Sequence, residues 1–252
     1  MTADWIRETL SLVRRDYAVQ FAGTMFGLVW LFAQYGFQIA VFFVVFGFLL
    51  PDRPGTAGGN FLAYLLGGMT LWLPLSEMLL RSCSILSDNA ALIRRTNVGP
   101  ARFVWVPVAQ SFFHYFLIFI PAVIYAAFHG TLTMLFPLGF LFGLLTLFFF
   151  SGWAFVFARI GVILKDISPV LRLVMQLIFW CTPIVYRAEG AWKKYFILNP
   201  FYSIFELHRS LTFSSGSLSP DVWIGLSWFV PLSLLAFMLS HLRLKAIAVD
   251  HL

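Results

Sequence analysis

Long apolar stretches dominate the chain and are separated by short charged or turn-forming segments. Residues 103–158 contain no Asp, Glu, Lys or Arg. Because one bilayer crossing needs about 20 apolar residues, this stretch is long enough for two crossings. His129, Gly130 and Thr131 interrupt it near the middle, where we expect a tight turn between two antiparallel spans. The pattern predicts a helical membrane protein.

The same criterion, applied to the whole chain, predicts about six membrane-spanning helices. They cover residues 27–50, 61–80, 103–128, 131–157, 170–186 and 222–242. The fifth is barely long enough to cross. The fold class is therefore all-α and polytopic, because a membrane β-barrel would show alternating segments of about 10 residues instead of continuous apolar runs.

Two segments outside the spans also have helical patterns. Residues 1–22 give a helix with one apolar and one charged face, which predicts a cytoplasmic interface helix lying flat on the membrane. Residues 187–221 are too polar to cross and too apolar for an ordinary loop. We interpret them as one or two interfacial or re-entrant helices on the outward side, divided at Asn199-Pro200.

These segments make up one transmembrane domain over residues 1–252. The interface helix precedes spans one to five, which occupy residues 23–186. The re-entrant segment and span six follow, and residues 243–252 form a short cytoplasmic tail.

Composition and charge agree with this interpretation. The chain is 60% hydrophobic and 11% charged, and its mean hydropathy is +0.86. A cytoplasmic N-terminus places 12 of the 17 Lys and Arg residues inside, so the positive-inside rule puts both termini in the cytoplasm. These residues are Arg7, Arg14, Arg15, Arg81, Arg94, Arg95, Arg102, Arg159, Lys165, Arg172, Arg243 and Lys245. The net charge of +6 needs no nucleic acid to explain it, since this topology and anionic lipid suffice.

Motifs for catalysis and for nucleotide binding are missing from the sequence. It has no Gly-x-x-x-x-Gly-Lys-[Ser/Thr] loop, no zinc-protease motif and no hydrolase nucleophile elbow. Cys83 and Cys181 lie in different segments and predict neither a disulfide framework nor a metal site. We therefore expect no catalytic residues and no cofactor in this chain, which resembles a conduit or scaffold.

Titratable side chains inside the predicted spans are few. Glu77 is the only acid there, and Arg81 at i+4 favours an ion pair on the same helix face, with a proton-coupling carboxylate as the alternative. His114 has no charged neighbour at helical spacing, so we expect a hydrogen-bonded core histidine.

Aromatic side chains make up 19% of the chain, and many lie at mid-span. Most of the 30 Phe are expected to be lipid-facing bulk. A minority can stack on the C–H faces of sugar rings, which needs no charge. The candidates for a substrate channel are Trp30, Tyr35, Phe42, Trp72, Trp180 and Tyr186.

Two predicted cytoplasmic loops have features of short helices. Residues 86–100 contain Ser87 or Asp88 as an N-cap candidate, a short apolar run and a Gly-Pro stop. Residues 159–169 form the second loop. Both loops could also do no more than cover the cytoplasmic end of the helix bundle.

Several motifs, in order along nearly the whole chain, resemble the ABC type-2 permeases that export polysaccharide. The resemblance is nearest to O-antigen permeases, followed by capsule and teichoic-acid permeases. The motifs are Asp16-Tyr17 after basic residues, GTMFGLVW at 23–30, GGMTLW at 67–72, Lys165-Asp166-Ile167, FWCTPIVY at 179–186 and Asn199-Pro200-Phe201.

The resemblance implies a homodimer of six-span subunits in the bacterial inner membrane, moving a lipid-linked polysaccharide. Each subunit would pair with a separate ATPase that carries ATP and magnesium. The implied ATPase contacts lie on the interface helix and the two cytoplasmic loops, at Arg14, Arg15, Asp88, Arg94, Arg95, Lys165 and Asp166. Lys165 replaces the usual arginine, so the charge is kept but the bidentate fork is lost.

Three alternatives stay open at this stage. The first is a type-2 exporter of a small hydrophobic molecule or of teichoic acid. The second is an integral membrane acyl- or glycosyltransferase, which would need a catalytic cluster, whereas Asp166 and His208 are isolated in the predicted topology. The third is a proton-driven transporter, which would need more buried carboxylates than Glu77.

Overall fold

A computed structural model of the chain describes residues 2–49, 61–96, 98–187, 193–214 and 222–241. The predicted tail at 243–252 lies outside these residues, as do parts of the segment that joins the fifth and sixth predicted spans. The described helices are α1 (Thr2–Gln20), α2 (Val29–Val44), α3 (Phe61–Asp88), α4 (Ala90–Arg95), α5 (Pro100–Phe128), α6 (Phe136–Ile163), α7 (Ile167–Cys181), α8 (Lys193–Phe196), α9 (Pro200–Thr212) and α10 (Val222–His241).

The all-α prediction is confirmed, and the protein is a polytopic membrane protein. Four helices are long and apolar enough to cross a bilayer: α2 with its π-helical continuation Val45–Leu49, then α3, α5 and α6. Two shorter apolar helices, α7 and residues Trp223–Leu239 of α10, correspond to the fifth and sixth predicted spans. The total of six crossings stays a prediction.

The long helices do not end where the sequence analysis placed their ends. Helix α3 continues past residue 80 to Asp88, and α6 continues past residue 157 to Ile163. The predicted ends lie just before the first arginine of each segment, Arg81 and Arg159. A charged side chain on one face does not stop a helix, and Arg81 and Arg159 both find hydrogen-bond partners on other helices. Helix α3, with 28 residues, is about 42 Å long at 1.5 Å per residue, longer than the ~30 Å hydrocarbon core.

The two predicted cytoplasmic loops also differ in structure from the prediction. A short helix does form in the first, but its N-cap position is Asn89, because Ser87 and Asp88 still belong to α3. Gly99 and Pro100 end this loop and also begin the next helix, with Gly99 at the N-cap position of α5. Pro100 is the first residue of α5, a position where its missing N–H costs nothing. The second loop has no helix of its own, since α6 and α7 are separated only by residues 164–166.

The predicted hairpin turn between α5 and α6 is confirmed. Helix α5 ends at Phe128, and Gly130 has a φ of +66°, a value that glycine adopts without strain. The turn is tied to the end of α9. The Ser214 N–H donates to the Thr131 carbonyl at 2.8 Å, and the Thr133 N–H donates to the Thr212 carbonyl at 3.2 Å.

Helix α3 lies at the centre of the bundle and packs against α5, α6 and α9. In the most apolar stretch of α3, 83% of residues are buried, compared with 17% in that of α2 and its π-helical continuation. Helix α9 is enclosed by α3, α6 and α10, so its polar residues Glu206, His208 and Arg209 are buried rather than on the surface. Helices α2 and α7 are peripheral and expose large apolar side chains.

Two glycines of α6 allow neighbouring backbones to approach closely. A Cβ at Gly152 would lie 2.7 Å from the backbone nitrogen of Phe237 in α10. A Cβ at Gly161 would overlap the carbonyl group of Cys83 in α3. Small residues give membrane helices close van der Waals contact, which replaces the hydrophobic force that is missing in lipid.

We predict that Gly161→Ala destabilises the bundle by about 1–3 kcal/mol, because the new methyl group has only backbone to displace. The measurement is the midpoint of thermal unfolding of the purified protein in detergent. Gly36→Ala in α2 is the control, since a Cβ added at Gly36 would meet nothing within 4 Å. Equal midpoints for the two variants would contradict the close contact of α3 and α6.

Candidate functional site

A groove of about 310 Å³ opens between α2, α3 and α7. It is lined by Gln38, Phe42, Trp72, Ser76, Leu80, Arg172, Met175, Gln176, Phe179 and Trp180. The helical spacing of Gln38 and Phe42 on α2, and of Arg172, Gln176 and Trp180 on α7, puts each set on one helix face. Four of these ten residues are aromatic, four are polar, and Leu80 and Met175 are apolar.

Four rings form the aromatic side of the groove. Phe179 lies near the middle, with its ring centroid 5.2 Å from Phe42, 5.3 Å from Trp180 and 5.6 Å from Trp72. The tilted and edge-on arrangements are those that aromatic quadrupoles favour. Trp180 is 48% exposed and offers its ring to an occupant, whereas Trp72 is only 5% exposed and also packs on Phe205.

The polar side of the groove consists of two amides, a hydroxyl and a cation. Gln38 and Gln176 can both donate and accept hydrogen bonds, as can Ser76. Arg172 is exposed and can bind an anionic group. A ligand with hydroxyl groups and apolar C–H faces matches this combination, and a purely hydrophobic one would leave the polar groups without partners.

The structure brings together three of the six aromatic residues that the sequence suggested for a channel: Phe42, Trp72 and Trp180. Tyr186 lies beyond the end of α7 and its hydroxyl donates to the Trp180 carbonyl at 2.6 Å. Trp30 lies elsewhere, 44% exposed and packed edge-on against Phe26. Tyr35 is buried, and its hydroxyl belongs to a polar network described next.

The predicted ion pair between Glu77 and Arg81 is wrong. The Glu77 carboxylate accepts hydrogen bonds from the Tyr35 hydroxyl and, at 3.0 Å, from Nδ1 of His114. Arg81 instead binds Asp16 of α1, with 2.6 Å between Nη2 and Oδ2. Spacing within α3 allowed the Glu77–Arg81 contact, but partners on other helices are better placed for both residues.

His114 joins α1 to this network. Its Nε2 lies 2.7 Å from the Tyr17 hydroxyl, and its Nδ1 faces Glu77 and Tyr35. The predicted hydrogen-bonded core histidine is thus confirmed, although its charged neighbour is on another helix. Burial, followed by the charges of Glu77 and Asp16, raises the pKa of Tyr17, so its hydroxyl stays protonated and can donate to Nε2.

These contacts connect α1 to three bundle helices. Asp16 accepts from Gln110 of α5 at 2.8 Å as well as from Arg81 of α3, and the Tyr17–His114 contact continues to Tyr35 of α2. The sequence signal was the presence of titratable groups in apolar segments. It could not show which of them meet, because the residues are far apart along the chain.

Helix α1 runs alongside α5 and contacts it at several positions along its length. Near its start, Glu8 forms an ion pair with Arg102, and Trp5 packs on Trp105 with 5.7 Å between ring centroids. Near its end, Asp16 and Tyr17 reach residues 110 and 114 of α5. From Arg102 to Gln110 the contacts advance eight residues, or about 12 Å along α5 at 1.5 Å per residue, and His114 lies one turn further. Helix α1 is therefore inclined along α5. A helix flat across the end of α5 would meet it at one level only.

The residues suggested for ATPase contact are all exposed: Arg14, Arg15, Asp88, Arg94, Arg95, Lys165 and Asp166. Arg15 donates to the Asn89 side chain at 3.4 Å and thereby brings α1 to the start of α4. Ile93 anchors α4 in an apolar cluster formed with the adjoining ends of α3, α5 and α6. This cluster places α4 and the Lys165-Asp166 link at the same end of the bundle.

Metal binding finds no support in the residues that the structure describes. They contain no group of three or more His, Cys, Asp or Glu side chains that could hold an ion.

Comparison with known proteins gives three relatives, all O-antigen export system permease proteins RfbA. The chain is 22% identical to that of Myxococcus xanthus over 212 residues, which is 80% of this chain and 78% of the relative. It is 22% and 23% identical to two from Klebsiella pneumoniae, over 91% and 82% of this chain and 88% and 80% of theirs. No protein-family model matches the chain. The similarity confirms the resemblance drawn from the motifs.

We predict that Asp16→Asn lowers the thermal midpoint of the protein, because it weakens the hydrogen bonds to Arg81 and Gln110 together. In an Arg81→Gln background the same change should lower the midpoint by less, because the two residues are coupled by about 1 kcal/mol. Glu8→Gln serves as a comparison, since its more exposed pair with Arg102 should contribute little. Equal losses in both backgrounds would show that Asp16 and Arg81 act independently.

Proposed function

We propose that this chain is the transmembrane permease subunit of an ABC exporter that moves a lipid-linked polysaccharide, of O-antigen or capsule type, across the bacterial inner membrane. The observation that carries the proposal is the similarity to O-antigen export permeases over most of both chains. The all-helical membrane fold agrees with it.

The groove between α2, α3 and α7 is the proposed substrate path. Aromatic faces can stack on sugar rings, while Gln38 and Gln176 can exchange hydrogen bonds with hydroxyl groups as the polymer passes. Each contact is weak, at roughly 1 kcal/mol for a ring without charge. Weak and repeated contacts suit a moving polymer, because no single position holds it.

ATP hydrolysis is assigned to a separate subunit, because the chain has no P-loop. The ATPase would bind at the end of the bundle where α4, the α6–α7 link and the basic face of α1 meet. The exposed cations Arg94 and Arg95 at the end of α4 supply charge for this contact. The inclined α1 and its network then connect that surface to α2, which borders the groove.

A homodimer is proposed because α2 and α7 expose large apolar side chains beside the open groove, such as Phe37 and Leu177. A second copy packed there would close the path on its remaining side. Both termini are placed in the cytoplasm, on the basic-residue bias of the sequence.

We predict that Trp180→Ala lowers polysaccharide export about fivefold, which corresponds to the loss of one stacking contact of about 1 kcal/mol. The measurement is surface polysaccharide in a strain that lacks the chromosomal copy and carries the variant on a plasmid. Trp180 is half-exposed, so its removal should leave folding intact. Trp72→Ala is unsuitable for this test, since Trp72 is packed in the core.

Two controls accompany this measurement. Trp228→Ala removes an exposed tryptophan of α10, and Phe148→Ala removes an exposed ring of α6, both away from the groove. Each should export like the wild type. If Trp180→Ala also exports like the wild type, the groove is not the substrate path. If the unmodified chain restores no surface polysaccharide, the proposed function is wrong.

We also predict that reversing charge at α4, with Arg94→Glu and Arg95→Glu together, weakens binding of the ATPase subunit or uncouples its hydrolysis from export. Both side chains are exposed, so the isolated permease should keep its thermal midpoint. Co-purification of the two subunits and ATPase activity of the complex are the measurements. Normal assembly with normal export would remove α4 from the coupling surface.

A further inference from the structure

Arg209 is a fully buried cation in α9, with 0% of its side chain exposed. Among the described residues, the carboxylate that pairs with it is that of Glu206, at 3.4 Å. Its other hydrogen bonds go to Tyr64 and to two backbone carbonyls that follow α7. A fully buried charge is costly unless it has partners, so the groups that Arg209 contacts indicate its role.

Those backbone carbonyls follow the point where α7 stops. Helix α7 has 15 residues and is about 22 Å long at 1.5 Å per residue, which is short of the ~30 Å hydrocarbon core. The peptide groups beyond Cys181 leave the helical hydrogen-bond pattern. Where water is excluded, such groups need partners from the protein.

Three side chains supply these partners. Arg209 donates from Nη1 to the Pro183 carbonyl at 3.0 Å and from Nη2 to the Ile184 carbonyl at 2.7 Å. The Tyr64 hydroxyl lies 3.0 Å from the Pro183 carbonyl and 2.8 Å from the Tyr186 carbonyl. Asn199, the N-cap of α9, donates to Thr182 Oγ1 at 3.0 Å and to the Cys181 carbonyl at 3.3 Å. We call these three side chains the α7 clamp.

The clamp is itself fixed by α3. The Arg209 guanidinium lies 3.8 Å from the centre of the Tyr64 ring, and its Nε and Nη1 donate to the Tyr64 carbonyl and hydroxyl. Gly67 and Gly68 make room for it, because a Cβ at either position would approach the Arg209 side chain to 2.6 or 2.5 Å. This space requirement explains the Gly-Gly pair in the sequence.

The clamped segment directly follows the aromatic wall of the groove. Phe179 and Trp180 are in the last turn of α7, and Tyr186 at the far end of the segment returns a hydrogen bond to the Trp180 carbonyl. The place where α7 stops therefore sets where the Trp180 ring lies. Arg209 does not line the groove and can act on it only through the backbone.

We propose that Arg209 is a positioning residue for the groove: together with Tyr64 and Asn199 it holds the carbonyls beyond α7, so that Trp180 stays directed toward the transported molecule. The link to transport rests on the proposed function. The holding of the α7 end does not, and it can be measured without any substrate.

Cys181 provides the measurement, because it is exposed at the last residue of α7 and becomes the only cysteine once Cys83 is replaced by alanine. The full-length protein in membranes is treated with a thiol-reactive maleimide, and the initial labelling rate is recorded. Arg209→Lys keeps the charge but loses the planar fork that reaches two carbonyls. We expect a change in the labelling rate of about tenfold, as a loosened end opens locally.

Tyr64→Phe is the second variant, since it keeps the ring under the guanidinium and removes only the hydroxyl. It should alter the labelling rate in the same direction but by less. If both residues act in one clamp, the labelling rate of the double variant should change no more than that of Arg209→Lys alone. Arg187→Lys is the matched control. Arg187 lies 5.1 Å from the centre of the same Tyr64 ring and keeps its charge as lysine, so labelling should not change.

Export and ATPase activity of the complex are measured on the same variants. If the proposal holds, Arg209→Lys changes the Cys181 labelling rate and lowers export per ATP hydrolysed. Unchanged labelling in both Arg209→Lys and Tyr64→Phe overturns the proposal, whatever the export of these variants. If Arg209→Lys fails to fold, the labelling of Tyr64→Phe is the deciding result. Changed labelling with normal export also overturns the proposal. Failure of the wild-type chain to export polysaccharide would instead count against the proposed function.

Discussion

The exclusion of water from the membrane interior is the constraint on which the rest of this structure depends. Every peptide group and every charged side chain inside the bundle must find its partner within the protein. The long helices meet this demand with their own backbone hydrogen bonds. The places where helices stop early or carry charge need side chains instead. In the part of the chain that the structure describes, two polar centres meet this need, around Glu77 and around Arg209.

The two centres have different consequences. The network of Tyr17, His114, Glu77 and Tyr35 joins α1 to α5, α3 and α2. The α7 clamp joins α9 and α3 to the end of α7. The groove lies between α2, α3 and α7, so one centre fixes α2 on one side of it and the other fixes α7 on the opposite side. Both bind to α3, the most buried of the long apolar helices, which therefore serves as the common frame.

This arrangement gives a physical route between the two ends of the proposed mechanism. An ATPase that displaces α4 or α1 would act on Asp16 and Tyr17, whose partners lie on α3 and α5 and lead to Tyr35 on α2. The geometry of these hydrogen bonds is directional, so a displacement of α1 would change them. Close glycine contacts between α6 and its neighbours keep the remaining helices in place.

The sequence by itself determined the membrane class, the all-α fold, the hairpin turn at Gly130 and the helix break at Asn199-Pro200, because apolar length and turn residues are local properties. Ordered motifs indicated the permease resemblance. Only the tertiary structure decided that Glu77 binds His114 while Arg81 binds Asp16, and that Phe42, Trp72 and Trp180 share a groove from which Trp30 and Tyr35 are absent. It also revealed that Arg209 is buried against carbonyls. Hydrogen bonds between residues tens of positions apart depend on how helices pack, and the spacing along one helix holds no information about its neighbours.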